Sequence, residues 1–229
     1  MKSYYRNIVR AVRVVLDQNK DSAPLAAVGD IDTLSIDEII EESIPGAIRA
    51  VLLTAPDTFF DGGISATSEA LKMKKHAVAN NVYGYVSVEL PADFIRLLSM
   101  KMSDWDFAVS YAFPRGDAAY AIQHSRVTSL HGNAQRPVAV VTPDGKHIEA
   151  FSSKEDARLD EFVYVGMPSV VEEGSDKAVE IGGKMYPSVV YYCASLVCAT
   201  LGDLDKSNTM RTIALQYLTL NDSEREAAV

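Results

Sequence analysis

The side chains best spaced for chemistry in this sequence are two close pairs of carboxylates: Asp104 and Asp106 on either side of Trp105, and the neighbours Glu172 and Glu173. Such a pair can share a proton in acid–base catalysis or bind a divalent cation, but either task needs a further convergent group. The sequence places no third ligand beside them, so solvated charge is the expected role. The four histidines, His76, His124, His131 and His147, are scattered, and none lies three or four residues from another as helix-borne metal ligands would. They read as surface or structural histidines.

Nucleophiles and phosphate loops fare no better. Cys193 and Cys198 stand in an apolar run, a setting for buried small hydrophobes, not for an activated thiolate, a disulfide framework or a zinc site. No Gly-x-Ser-x-Gly elbow occurs, and Gly62-Gly63 and Gly182-Gly183 lack the flanking pattern that aims several backbone amides at one anion. The expectation is therefore a protein with no catalytic residue, no metal and no cofactor. A hydrolase using Asp104 and Asp106 is the rival from another class.

With 229 residues, 48% of them hydrophobic, the chain can bury a real core in one domain or two small ones. A net charge of -9 argues against a general nucleic-acid binder, whose affinity comes from an excess of Lys and Arg. The basic amino-terminal stretch lacks the apolar core and cleavage site of a secretory signal, and no apolar run reaches the roughly 20 residues of a membrane span. A soluble protein of a reducing cytoplasm is expected.

The elements that would position these residues follow from periodicity. Tyr5, Ile8, Val9, Val12, Val15 and Leu16 recur at helical spacing over 3–19, with Arg6, Arg10 and Arg13 on the opposite face. Residues 21–32 read as a loop. Ser35 and Glu38 form a capping box that opens a second helix, which Pro45 should kink or divide and which ends before Pro56. Strands are expected at 82–89, 97–102, 107–111, 137–142, 147–151, 162–166 and 178–181, with a tight turn at 143–145 and a short helical piece at 117–123. Residues 186–201 are apolar almost all round, so that helix must be surrounded by protein; Gly202 ends it. A last amphipathic helix spans 205–220, and the tail 221–229 should fray. Neither terminal pair of helices can bury its own apolar face. The expected fold is thus α+β: a helical bundle from 1–56 and 183–229 carrying an inserted, antiparallel β-rich domain at 57–182.

The most specific local stretch is Leu90-Pro91-Ala92-Asp93-Phe94-Ile95-Arg96-Leu97, followed by Trp105. Pro91 suits the first turn of a short helix, Asp93 its free amides, and Phe94 with Leu97 an apolar side, leaving Arg96 for a carboxylate or a neighbouring subunit. The stretch resembles the Leu-Pro-x-Asp-Phe-x-Arg-Leu segment of the head-to-tail adaptors of short-tailed phages, the tail tubular protein A group and related ring proteins, including those of crAss-like phages. Arg136-Pro137 before a hairpin, Tyr164 in a late strand, Tyr186-Pro187 before an apolar helix and Leu201-Gly202-Asp203 before the last helix are similar to that layout. The Lys-rich segment 54–80, with Lys72, Lys74 and Lys75, departs from it and reads as an arm reaching a neighbour.

This resemblance implies a virion protein, not an enzyme: a homo-oligomeric ring, commonly of twelve copies, at the junction between portal and tail. Its helical bundle would face the portal and its β-rich part the tail or further ring proteins. DNA would pass transiently through the channel, where an acidic wall avoids sticking to phosphate. A closed ring needs two complementary patches on each copy. Candidate contributors are Arg6, Arg10 and Arg13 on the first helix, and Val189, Tyr192 and Leu196 on the apolar one. A head-completion or tail-terminator protein is the alternative within the viral class.

Overall fold

A computed structural model describes residues 1–16, 35–60, 62–66, 71–76, 84–123, 127, 134–154, 156–174 and 176–226. The expected loop at 21–32 lies outside these residues, as do His124 and His131, positions 82–83 of one expected strand, and 67–70 and 77–80 of the Lys-rich segment.

The protein is mixed α+β, with several antiparallel sheets and five α-helices among the described residues. Strand β1 (Lys2–Tyr4) runs straight into α1 (Tyr5–Val15), and α2 (Ile36–Thr54) follows. The middle holds β2 (Ile64–Ser65), β3 (Met73–His76), β4 (Gly84–Glu89), β5 (Phe94–Met102), β6 (Ala112–Pro114), α3 (Ala118–Gln123), β7 (Val138–Val141), β8 (His147–Ser153) and β9 (Leu159–Gly166). Then come β10 (Val170–Glu173), β11 (Asp176–Glu180), α4 (Tyr186–Thr200) and α5 (Leu204–Glu226). The chain divides into two compact units, one of 1–61 with 167–229, the other of 62–166. Residues 167–182, grouped from sequence with the strand-rich middle, fall in the first unit.

In the first unit, β11 lies between β1 and β10, antiparallel to both. The helix expected from Ser3 therefore starts two residues later: Ser3 pairs with Val179 and is buried, and only Tyr5 onward turns helical. Lys2 forms an ion pair with Glu173, and the Tyr4 hydroxyl donates to the same carboxylate at 3.1 Å. Both effects hold the Glu173 carboxyl below its ordinary range, the Lys2 bond most of all.

The capping box is present: the Glu38 amide donates to Ser35 Oγ at 3.3 Å, and the Ser35 amide to Glu38 Oε2 at 2.6 Å. Asp37 and Glu38 also suit the positive end of the α2 dipole. Helix α2 runs through Pro45 undivided, and its buried stripe of Ile36, Ile40, Ile44, Ala47, Ile48, Val51 and Leu52 follows the spacing read from sequence. Helix α4 touches α1, α2 and α5, which accounts for its being apolar on every side. Its buried hydroxyls are satisfied: Ser188 donates to the Ala214 carbonyl at 2.8 Å, and Ser195 and Ser207 share a hydrogen bond of 3.1 Å. Gly202, at φ 82°, supplies the left-handed turn that stops α4, and the Asp203 amide reaches back to the Cys198 carbonyl at 2.9 Å. Helix α5 continues to Glu226, beyond the point where fraying was expected; only 227–229 lie outside the described residues. Among the described residues no helix is long and apolar enough to cross a membrane.

The second unit contains a three-stranded sheet, β2-β9-β5, and a five-stranded one, β3-β4-β8-β7-β6. All pairings are antiparallel except β6 with β7, which run parallel. Val86 and Val88 of β4, Ile148 of β8, Phe162 of β9, and Leu97, Met100 and Met102 of β5 form the centre of its core with Trp105. Burying each large apolar side chain contributes about 1.5–3 kcal/mol. Register shifts along β5 re-phase its alternation, so Leu97 and Met100, three apart, both point inward. The expected turn at 143–145 joins β7 to β8, with the Gly145 amide on the Thr142 carbonyl at 2.9 Å.

Two expected elements are corrected. Residues 107–111 form no strand: Val109 makes one bridge to Met100 and packs against the core, but Phe107 and Tyr111 on either side of it are exposed, so the alternation buries only one residue in part. The Lys-rich segment includes β2 and β3, and β3 is an edge strand with Lys74 and Lys75 exposed. Lysines along an open edge discourage unwanted strand pairing.

Candidate functional site

The stretch 90–97 is built differently from its expected form. Pro91 starts a single turn, closed by the Phe94 amide on the Pro91 carbonyl at 3.0 Å, and β5 begins at once, so no short helix forms. The two-residue period wins because Ile95 and Leu97 point inward while Phe94 and Arg96 take the other face half-buried. Asp93 caps no helix. It accepts from the Tyr164 hydroxyl of β9, at 3.2 Å to Oδ1 and 3.4 Å to Oδ2. Gly166 permits this approach, since a Cβ there would stand 2.5 Å from Asp93 Oδ2. Phe94 stacks on Tyr164 with ring centroids 5.8 Å apart. Burial first, then the Asp93 charge, raises the Tyr164 pKa. Arg96, expected to be free, is half-buried and engaged. Leu90 packs against the core and Trp105 is buried in it. Leu90, Pro91 and Tyr164 also line a cleft of about 440 Å³ with Ser65, Leu71 and Lys72, where Lys72 pairs with Glu89 at 3.5 Å.

The first unit offers a second feature, an open groove of about 430 Å³ between α1 and α4. Asn7, Arg10, Ala11, Val14 and Val15 of α1 form one wall; Tyr186, Pro187, Val190 and Tyr191 of α4 form the other. Val14 is 59% exposed although apolar. The Tyr186 hydroxyl ties the walls together by donating to the Asn7 carbonyl at 3.4 Å. Apart from Arg10, the sequence reading missed the groove. The available signal was an apolar residue, Val14, one helical turn from Arg10 on a face that otherwise reads as basic.

The three candidate arginines separate. Arg10 is exposed on the groove wall. Arg6 is exposed too, with Nε 3.2 Å from Asp176 Oδ2 and its guanidinium over the Tyr4 ring. Arg13 turns toward α2 and pairs with Asp37 at 2.8 Å, so it joins the two helices of one subunit and leaves the outward stripe. On α4, Val189 is buried at 1% exposure among the helices and offers no surface, whereas Tyr192 and Leu196 are half-buried.

The candidate catalytic pairs have structural partners or face solvent. Asp104 accepts from the Lys154 amide at 2.7 Å, Asp106 and Glu172 are exposed, and Glu173 is held by Lys2 and Tyr4. His147 sits 3.7 Å from Asp144 in the β7–β8 turn. Burial pushes the Cys193 thiol up to about 12, and Cys198 is raised as well, so neither is poised as a thiolate. Among the described residues, no group of three or more His, Cys, Asp or Glu could hold a metal ion.

No protein-family model matches the chain, and no curated protein matches it.

Proposed function

We propose that this protein is a structural subunit of a tailed-phage virion, a ring-forming adaptor that joins portal to tail and extends the DNA channel, with no catalytic role. In this reading the helices of both chain ends form one portal-facing bundle, and the strand-rich segment is a domain inserted between them. The contact that carries the reading is the one between Asp93 and Tyr164. These two residues, 71 positions apart, belong to separate parts of the resemblance to the tail tubular protein A group, and they meet in one hydrogen bond. A likeness that selects two distant partners of one contact concerns a shared framework more than a chance run of letters.

Charge distribution supports the same role. Residues 1–61 with 167–229 carry 19 Asp and Glu against 11 Lys and Arg, while 62–166 carry 12 against 11. The acidic excess therefore belongs almost wholly to the unit of the terminal helices, and an acidic surface repels passing phosphate. Mixing the protein with the portal of its phage and viewing the product by electron microscopy tests the proposal. A ring with the rotational symmetry of a closed assembly on the portal is expected. A protein that stays monomeric and unbound would remove the adaptor reading.

A further inference from the structure

The first unit carries two exposed helix faces of opposite charge and equal spacing. On α1, Arg6, Arg10 and Val14 follow one another at four-residue steps, and all three are exposed. On α2, Glu38, Glu42 and Gly46 do the same, also exposed, with Glu41 and Pro45 beside them. Four residues along a helix rise about 6 Å on either element, so the two rows match step for step.

From this match we infer that the groove between α1 and α4 seats the α2 face of a second copy of the chain, the two helices running parallel. This contact rests on the ring reading and specifies how one copy meets the next. Parallel alignment sets Arg10 against Glu42, Arg6 against Glu38 and Val14 against Gly46. The antiparallel alternative, with Arg10 still on Glu42, would put Val14 on the charged Glu38. Gly46, beside Pro45, gives α2 a low profile there, so the helices can approach to the 8–10 Å typical of packed pairs. Arg10 and Glu42 form no ion pair among the described residues, and the contact between α1 and α2 within one copy uses Arg13 and Asp37 instead. Among the described residues the two faces are therefore different and without an ion pair at their centres, as a heterologous, ring-closing contact requires. Arg10 and Glu42 are its centre, because Arg6 is partly held by Asp176 and Glu38 by the Ser35 cap.

The test uses full-length protein with portal, comparing wild type, R10E, E42R and the R10E/E42R double variant by electron microscopy and native mass spectrometry. Each single reversal should cut ring yield about ten-fold or more, and the double variant should recover it, since it restores the pair with its signs exchanged. Circular dichroism on each variant confirms folding, which these exposed positions should preserve. A second measurement oxidises a mixture of Val14→Cys and Gly46→Cys proteins on the portal; a crosslink between the two species is expected. Rings that form equally well in all variants would overturn this contact while leaving the adaptor reading intact. Loss of portal binding in R10E with no effect of E42R would assign the groove to the portal and overturn it too. Crosslinks between two Val14→Cys copies in preference to the mixed pair would do the same. Wild type forming no ring at all would end both.

Discussion

Removing the Tyr164 hydroxyl tests whether the 90–97 turn is held by Asp93 or merely packed. In Tyr164→Phe the ring can keep its stacking on Phe94, at 5.8 Å, and its contact with Phe162, at 5.9 Å, so only the oxygen is lost. The lost bond goes to a carboxylate, and such bonds contribute about 1.5–3 kcal/mol at good geometry. Its 3.2 and 3.4 Å lengths are well beyond the 2.5–2.7 Å of a strong hydroxyl–carboxylate bond, so its contribution falls below that range, to the about 1 kcal/mol of an ordinary hydrogen bond. Asp93 is half-buried and regains part of that from water. The expected shift in Tm is about 4–8 °C if 62–166 melts alone and about 2–4 °C if the chain melts as one body. Urea and thermal melts of wild type, Tyr164→Phe, Asp93→Asn and the double variant give the coupling between the two side chains. A Tyr164→Phe protein within about 0.3 kcal/mol of wild type, with additive variants, would refute the claim that this bond fixes the turn.

Ser35→Ala should destabilise the protein by about 1 kcal/mol through loss of the α2 cap, seen as a lower urea midpoint; Ser35→Gly should cost only a few tenths. Thiol titration should find Cys193 and Cys198 unreactive in the folded protein and both reactive in denaturant. Stability should fall in alkali. The Cys193 pKa is raised in the folded state, so its contribution is complete below the ordinary thiol value of 9.0 and is lost as pH climbs toward about 12. The raised tyrosines, Tyr5, Tyr85, Tyr164, Tyr186 and Tyr191, act in the same direction above 10.0. Cys193→Ala should flatten the slope of urea midpoint against pH between 9.0 and 10.0, and an unchanged slope would contradict the assignment.

Elements with strong local signals were readable directly. Ser35 with Glu38 marked the start of α2, Gly202 marked the end of α4, and the turn at 143–145 lay where Pro, Asp and Gly cluster. What sequence could not disclose were pairings made at long range. Ser3 and Tyr4 join the helical spacing of the residues after them, yet Lys2–Tyr4 is a strand because β11 lies alongside, and the short β2 is a strand only through β9. At 90–97, Pro91 and Asp93 are ordinary helix-start signals, but the inward alternation of Ile95 and Leu97 against β9 overrode them. The groove was hidden for the same reason, since Val14 and Tyr191 are meaningful only once α1 and α4 touch. Of the resemblance residues, Tyr164 and Asp93 gained a physical relation that no spacing rule would have paired.

The first unit draws on both ends of the polypeptide, and this governs how it is made. As the nascent chain leaves the ribosome, α1 and α2 emerge with Ile8, Val12, Ile40 and Ile44 bare, because α4, the helix that covers them, is encoded after residue 185. At ordinary translation speeds that interval is on the order of ten seconds, long enough for sticky intermediates to meet one another. The contiguous segment 62–166 has no such wait and can collapse in the meantime. The Lys206 ammonium, bonded to the Leu16 carbonyl at 3.1 Å, forms one of the last joints to close. Truncation ahead of Lys206 should therefore leave α1 without this fastening and send the product to chaperones or to aggregates.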